Sequence, residues 1–134
     1  MRYTGGCLCG AIRYEVEGPL GALVYCHCGQ CRKAQGTAFA SSAPVPAAQF
    51  TLVAGAEHLK CHHATPAKGR YFCAECGSPI YSRLDGGDVL RLRAGSLDGP
   101  VPLVPAAHIF TADRANWFEI TDTLPRHPGR EPGR

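Results

Sequence analysis

Three of the chain's eight cysteines lie within six residues, at Cys26, Cys28 and Cys31. A Cys-x-Cys pair precedes them at 7 and 9, and a Cys-x-x-Cys-Gly segment follows them at 73–77. Clustered thiolates at such spacings are typical zinc ligands. The two flanking pairs together supply four thiolates, which predicts one closed site. The middle cluster then forms a second site that is one ligand short, and a zinc ion with an open position is a reactive one.

The closed site is predicted from the local geometry of the two flanking pairs. On a strand, residues two apart face the same side, so Cys7 and Cys9 are expected to present both sulfurs together. Cys73 and Cys76 are expected to span a tight knuckle, in which Gly77 adopts a positive φ. We predict a structural zinc in this four-thiolate site, and iron is the main alternative that the ligands leave open.

The open site has several candidates for its missing ligand. His27 is adjacent, but strand geometry points its side chain away from the face that its neighbours share. The other candidates lie further along the chain, and they are Cys61, His62, His63 and His108. If one of them closes the site, this zinc is structural as well. The alternative is an exchangeable ligand, either water or a substrate thiol.

Three thiolate ligands dictate the chemistry of the open site. They leave Zn²⁺ with a net charge of −1, so the ion activates water weakly and favours a soft thiolate ligand. This arrangement predicts a reaction of a thiol with an electrophile rather than hydrolysis. Arg32, Lys33 and Arg70 are candidates to hold the carboxylates of a peptide thiol, although a solvated basic face would have the same composition.

Short strands must position these cysteines, because helical periodicity is nearly absent. The predicted strands cover 13–17, 23–25, 39–41, 50–53, 58–63, 78–84 and 89–94, with a hairpin turn at Asp85–Asp88. One helical turn is expected at Arg32–Gln35. We predict a mainly β, single-domain fold over residues 1–124, stapled by zinc, and a disordered Pro/Gly/Arg-rich tail at 125–134.

Aromatic residues and one histidine are assigned to packing. Phe39 and Phe50 are expected in the core, although they could also line a pocket. Trp117 is expected to be a core anchor or a pocket wall. Alternation places His108 and Phe110 on one face, where a packed histidine is favoured over a ligand or a proton shuttle.

The whole chain has 134 residues, of which 45% are hydrophobic and 19% are charged, with a formal net charge of +3. This charge is too weak to indicate a nucleic-acid partner by itself. No apolar run is long enough for a membrane span, and the N-terminus lacks the apolar segment of a signal peptide. We therefore expect a cytoplasmic protein, in which clustered cysteines indicate metal or catalysis more often than disulfides.

Spaced motifs in a fixed order connect the chain with a known family. They are GCLCGAIRY at 6–14, CHCGQCR at 26–32, FCAECG at 72–77, HIF at 108–110 and WF at 117–118. Over about residues 4–124 this series resembles the glutathione-dependent formaldehyde-activating enzyme family, which includes centromere protein V.

The resemblance implies a tent-like β fold with a structural zinc at the outer four cysteines and a catalytic, labile zinc at the middle three. It implies a carbon–sulfur lyase activity that forms or cleaves the adduct of formaldehyde with glutathione, here a small aldehyde and a thiol. Basic residues would hold the glutathione carboxylates. The sequence leaves two other functions open. One is a two-zinc scaffold that binds protein or chromatin, and the other is a thiol-redox or metal-buffering protein.

Overall fold

The computed structural model describes residues 1–133 and contains short strands, one short α-helix and four short 3₁₀ helices within that range. In chain order the elements are β1 Arg2–Gly6, β2 Arg13–Glu17, β3 Leu23–Cys26, α1 Gly29–Gln35, β4 Ala40–Pro46, β5 Phe50–Ala54, β6 Leu59–Thr65, β7 Lys68–Cys73, β8 Pro79–Leu84, β9 Val89–Arg93 and β10 Pro105–Ile109. The prediction of a mainly β fold is confirmed. Across residues 1–133, no helix has the length and apolar character needed to cross a bilayer.

The strands form two sheets. A three-stranded sheet has the order β1-β2-β5, and a seven-stranded sheet has the order β10-β3-β4-β9-β8-β7-β6. All neighbouring strands are antiparallel except β10 and β3, which run parallel with Ile109 opposite Cys26. The hairpin turn predicted at Asp85–Asp88 joins β8 to β9. The large sheet therefore brings residues from both halves of the chain next to the three-cysteine segment.

The main core lies between the two sheets. The alternation predicted for β2 is confirmed, because Ile12, Tyr14 and Val16 are fully buried. They pack with Leu90 and Leu92 of β9. Cys7 and Cys73 belong to this same buried cluster. The outer cysteines are therefore built into the larger of the two core clusters.

A second, smaller core cluster surrounds the middle cysteines. Cys26 and Cys31 pack with Val24, Ala40 and Ile109, which come from β3, β4 and β10. This cluster needs β10, which has no counterpart among the predicted strands. Strands β1 and β7 were also absent from the prediction, whereas the other seven strands lie close to their predicted positions.

The C-terminal segment differs from the expected disordered tail over residues 125–133. Its backbone runs beside β10, where the His108 N–H donates to Pro125 and the His127 N–H donates to His108. The Phe110 N–H donates in turn to Gly129. An edge strand exposes unpaired backbone groups, and this segment satisfies them. Arg134 lies outside the described residues, and the domain boundary at 124 stays a prediction.

Candidate metal centres and the adjoining cleft

The four outer cysteines meet at one point in the structure. Cys7 and Cys9 come from the loop after β1, and Cys73 and Cys76 come from the end of β7 and the loop that follows. Their sulfur atoms all lie within 4.8 Å of one another. The predicted grouping of these four residues therefore matches the geometry.

The sulfur separations fit zinc. Four sulfurs placed tetrahedrally at about 2.3 Å from a zinc ion lie about 3.8 Å apart. The Cys7 and Cys9 sulfurs are 3.6 Å apart, and those of Cys9 and Cys73 are 3.9 Å apart. A four-thiolate set at these separations has the ligand type and the size of a structural zinc site.

Local backbone geometry positions these sulfurs, but not in the way predicted for the first pair. The strand geometry expected for Cys7 and Cys9 is wrong, because β1 ends at Gly6 and a turn brings the two sulfurs together. The Cys7 sulfur accepts a hydrogen bond from the Ile12 N–H. The knuckle at the second pair is confirmed, since the Gly77 N–H donates to the Cys73 carbonyl and Gly77 has a φ of 79°.

The three middle cysteines converge where β3 leads into α1. Cys26 ends β3, Cys28 caps the N-terminus of α1 and Cys31 lies in its first turn. The Cys31 N–H donates to the Cys28 sulfur at 3.3 Å. The three sulfurs lie within 4.8 Å of one another. Cys26 and Cys31 are buried and Cys28 is half-buried, so the cluster is open on the Cys28 side.

Two arginines supply positive charge beside these sulfurs. Arg70 of β7 places its guanidinium nitrogens 3.8 and 3.9 Å from the Cys31 sulfur. Arg93 of β9 is buried next to the cluster. Hydrogen bonds from Cys26 and Cys28, and then the charges of Arg93 and Arg70, lower the pKa of Cys31. The site therefore favours thiolate at Cys31.

None of the proposed fourth ligands joins the middle cluster. Within residues 1–133, no further His, Cys, Asp or Glu lies with the three sulfurs in a common group. Cys61 and His63 contact each other on the edge strand β6 instead. His27 points away from the cluster, as predicted, and its Nε2 lies 2.8 Å from Nδ1 of His108.

His27 and His108 form a buried chain that ends at a carboxylate. His108 Nε2 lies 2.8 Å from the Asp122 carboxylate, and this bond lowers the pKa of Asp122. His108 therefore connects His27 with Asp122 through its two ring nitrogens. Burial, followed by the charge of His108, lowers the pKa of His27 to about 4. The hydrogen bonds that join His27, His108 and Asp122 hold the peptide segment between Cys26 and Cys28 in place. His108 is fully buried, which agrees with its predicted packing role.

A cleft of about 1010 Å³ adjoins the three-cysteine cluster. Its lining includes Cys26, Cys28 and Cys31, with Ile109 and Phe110 as apolar wall. Six cationic side chains and two carboxylates of the described residues also line it, and they are Lys68, Arg70, Arg83, Arg91, Arg93, Arg130, Asp88 and Asp113. The cleft therefore favours an anionic ligand next to the sulfurs.

The sequence identified only part of this basic lining. Arg70 lies in the cleft as expected, whereas Arg32 and Lys33 are not among the lining residues. Arg93 was not predicted to have a role, because its alternation with Leu92 in β9 gives no sign that the cation is buried. Its burial follows from the pairing of β9 with β4 and β8, which no local pattern in the sequence shows.

The aromatic predictions had mixed outcomes. Phe39 packs against Tyr25 and Phe118, and Phe50 stacks on Tyr14, as expected for core residues. The core assignment of Trp117 is wrong, because the residue is 69% exposed in a turn.

The shared face predicted for His108 and Phe110 does not form. Strand β10 ends at Ile109, and Phe110 has a φ of 53°. The alternation therefore stops before Phe110, which lines the cleft, while His108 packs on the Tyr25 ring.

Comparison with known proteins gives one family and several relatives. The model of the glutathione-dependent formaldehyde-activating enzyme family matches residues 2–113. A Halomonas elongata protein is 29% identical over 130 residues, which covers 90% of this chain and 82% of that protein. An Aspergillus flavus protein is 25% identical over 122 residues, which covers 87% of this chain and 58% of that protein. Both carry the provisional name of a glutathione-dependent formaldehyde-activating enzyme.

A solved structure agrees with the fold. The crystal structure of a Rhodobacter sphaeroides protein superimposes with a TM-score of 0.62 and 26% sequence identity. The match covers 74% of this chain and 91% of that one. The chain spans less than two thirds of the Aspergillus relative, so similarity extends over the shared domain and not over that whole protein.

Proposed function

Since the chain belongs to the glutathione-dependent formaldehyde-activating enzyme family, we propose that it is an enzyme that joins a small aldehyde to a thiol. The reaction is the formation or cleavage of the adduct between formaldehyde and glutathione, which makes the protein a carbon–sulfur lyase in the cleavage direction. The names of the relatives support glutathione and formaldehyde as the reactants. A reducing cytoplasm, where the cysteines stay thiolates, is part of this proposal.

One observation carries the proposal, and it is the three-sulfur cluster open to a basic cleft. Cys26, Cys28 and Cys31 would hold a catalytic zinc, and the four outer cysteines would hold a structural zinc. When bound at three thiolates, zinc supplies a soft position that favours a thiolate over a thiol. The positive charges of Arg70 and Arg93 offset the negative charge that builds up when a fourth thiolate arrives.

The basic side chains give the thiol its orientation. Arginine binds carboxylates with a planar pair of N–H donors, and glutathione carries two carboxylates. Arg70 and Arg93 line the cleft beside Cys31, so they would hold these groups while the sulfur faces the cluster.

The bond changes are simple. The thiol loses its proton, its sulfur attacks the carbonyl carbon of the aldehyde, and a carbon–sulfur bond forms. The carbonyl oxygen takes up a proton, which gives a hydroxymethyl thioether. Ile109 and Phe110 form the apolar wall of the cleft and limit the access of water on that side.

The experiment is exchange-sensitive NMR of formaldehyde and glutathione with the zinc-loaded protein. We expect exchange between free reactants and adduct to be faster than in buffer. The Cys28→Ser variant should lose this acceleration, and the Cys61→Ser variant should keep it. An absence of acceleration with glutathione and with other low-molecular-weight thiols would contradict the proposal.

A further inference from the structure

A second group of reactive side chains lies on the edge of the large sheet, apart from both cysteine clusters. The Cys61 sulfur is 3.7 Å from Nδ1 of His63. Nε2 of the same imidazole lies 3.0 Å from both carboxylate oxygens of Asp85. Nucleophile, base and orienting carboxylate therefore follow one another within hydrogen-bond reach, which is the arrangement that activates cysteine nucleophiles.

Sequence spacing and sheet register create this arrangement. Cys61 and His63 are two apart on β6, so their side chains share one face of the strand. Gly69 lies opposite His63, and a Cβ at Gly69 would collide with the Cys61 sulfur. The Asp85 N–H donates to the Ala67 carbonyl, which holds the carboxylate beside the end of β6.

The tautomer of His63 follows from its partners. The N–H at Nε2 donates to Asp85, so the lone pair of Nδ1 faces the Cys61 thiol. Tyr71 lies directly opposite Cys61 in the pairing of β6 with β7, so its side chain flanks the thiol.

The surroundings of Cys61 indicate which reactant the thiol meets. Cys61 is half-buried and lines a cleft of about 450 Å³. Lys60, Arg70 and Arg93 also line this cleft, and no carboxylate of residues 1–133 does. An anionic reactant is therefore attracted to this thiol.

We propose that Cys61 is an S-thiolation site that reacts with the disulfide of a carboxylate-bearing, low-molecular-weight thiol. His63 takes the proton from the Cys61 thiol, and the imidazolium is stabilised by Asp85. The Cys61 thiolate attacks one sulfur of the disulfide, a new S–S bond forms and the old one breaks. The leaving thiolate takes the proton from His63, so one disulfide and one thiol are consumed and one of each is produced.

The reacting groups of this site are separate from those of the proposed aldehyde chemistry, although Arg70 and Arg93 line both clefts. Cys61 belongs to neither of the two cysteine groups, and its partners come from β6, β7 and the hairpin turn after β8. Failure of one proposal therefore leaves the other standing.

The test uses the zinc-loaded full chain and glutathione disulfide, with the mixed disulfide located by peptide mass spectrometry. We expect Cys61 to be modified first. His63→Gln should slow its modification at least about tenfold, since general-base catalysis contributes about 10²-fold or more. Asp85→Asn should slow it less, and both variants should keep the native unfolding midpoint.

The matched control is His127→Gln, which changes a histidine that lines neither cleft and should leave the rate within about twofold. Loosening of the strand would make Cys61 more accessible and faster, so it cannot imitate the expected loss. A His63→Gln rate within twofold of the native rate would overturn the proposal. Modification of Cys9 or Cys28 ahead of Cys61 would overturn it as well.

A second arm tests the charge of the reactant. For each disulfide, the rate of Cys61 is divided by the rate of free N-acetylcysteine. This ratio should be larger for glutathione disulfide than for the cationic disulfide cystamine. An equal or reversed preference would contradict the anionic class of reactant.

Discussion

The Arg70 guanidinium lies 3.8 Å from the Cys31 sulfur, although the two residues are 39 positions apart in the chain. They stand on β7 and α1, and the same guanidinium also donates to the Gln30 side-chain carbonyl at 3.2 Å. The pairing of the strands thus places the Arg70 guanidinium beside the three-cysteine cluster, which is one ligand short of a closed zinc site. This contact connects the candidate metal site with the basic cleft.

Replacing this cation should weaken the binding of the thiol. We expect Arg70→Gln to raise the KM for glutathione about tenfold or more, because a hydrogen bond to a charged group contributes about 1.5–3 kcal/mol. Zinc content should stay the same, since Arg70 is not a ligand. Lys33→Gln is the control, because Lys33 is exposed and does not line the cleft. Equal KM values for the two variants would contradict this role of Arg70.

The two cysteine groups should differ in their effect on folding. Cys73 is fully buried in the main core, and zinc at four thiolates contributes about 10–16 kcal/mol to small domains. This exceeds or equals the total stability of most domains, about 5–15 kcal/mol, so Cys73→Ser should unfold the protein. Cys28→Ser should keep the fold and lose activity. Circular dichroism and chemical denaturation measure the difference, and equal behaviour of the two variants would refute the division of roles.

Gly55, which lies against the loop that follows Cys7 and Cys9, should tolerate no side chain. Gly55 has a φ of 83°, and a Cβ there would collide with the carbonyl oxygen of Ala11. Gly55→Ala should therefore destabilise the protein by more than about 1 kcal/mol, the usual cost of a strained backbone position. Gly95→Ala is the matched control, because a Cβ at Gly95 meets nothing within 4 Å. The measurement is urea unfolding, and equal unfolding midpoints for the two variants would contradict the expectation.

The stability of the protein should fall at alkaline pH because Tyr14 is buried. Burial raises the pKa of Tyr14 from 10.0 to about 12, and its hydroxyl lies 2.7 Å from that of Ser96. The unfolded chain loses this proton at a lower pH than the folded one, so stability is complete below pH 10 and falls as pH rises toward 12. Tyr14→Phe should therefore show a smaller loss of stability between pH 10 and 12. Part of the loss should remain, because burial also raises the pKa of Tyr81 to about 12. Denaturation as a function of pH checks this, and an unchanged fall in the variant would contradict it.

Local spacing made much of the site predictable. The knuckle at Cys73–Gly77, the strand alternation around Tyr14 and the hairpin at Asp85–Asp88 depend on residues that are neighbours in sequence. Alternation and turn chemistry act over this range, so the sequence alone indicates them. The grouping of the cysteines followed from thiolate counting, and it did not need the correct strand geometry at Cys7 and Cys9.

Long-range pairing decided what the sequence left out. The place of β10 beside β3 depends on Ile109 meeting Cys26, and the C-terminal segment then pairs with β10 in turn. Arg93 looks like any strand residue until the sheet buries it next to Cys31. Likewise, nothing local connects Asp85 with His63, because the contact requires β6, β7 and β8 to be in register.

Zinc stoichiometry before and after a mild chelator tests most directly whether one site is closed and the other open. We predict two zinc ions per chain in the loaded protein and one after treatment, with the fold retained. The Cys28→Ser variant should hold one zinc throughout. Retention of both ions by the native protein, or the loss of both together, would contradict the account.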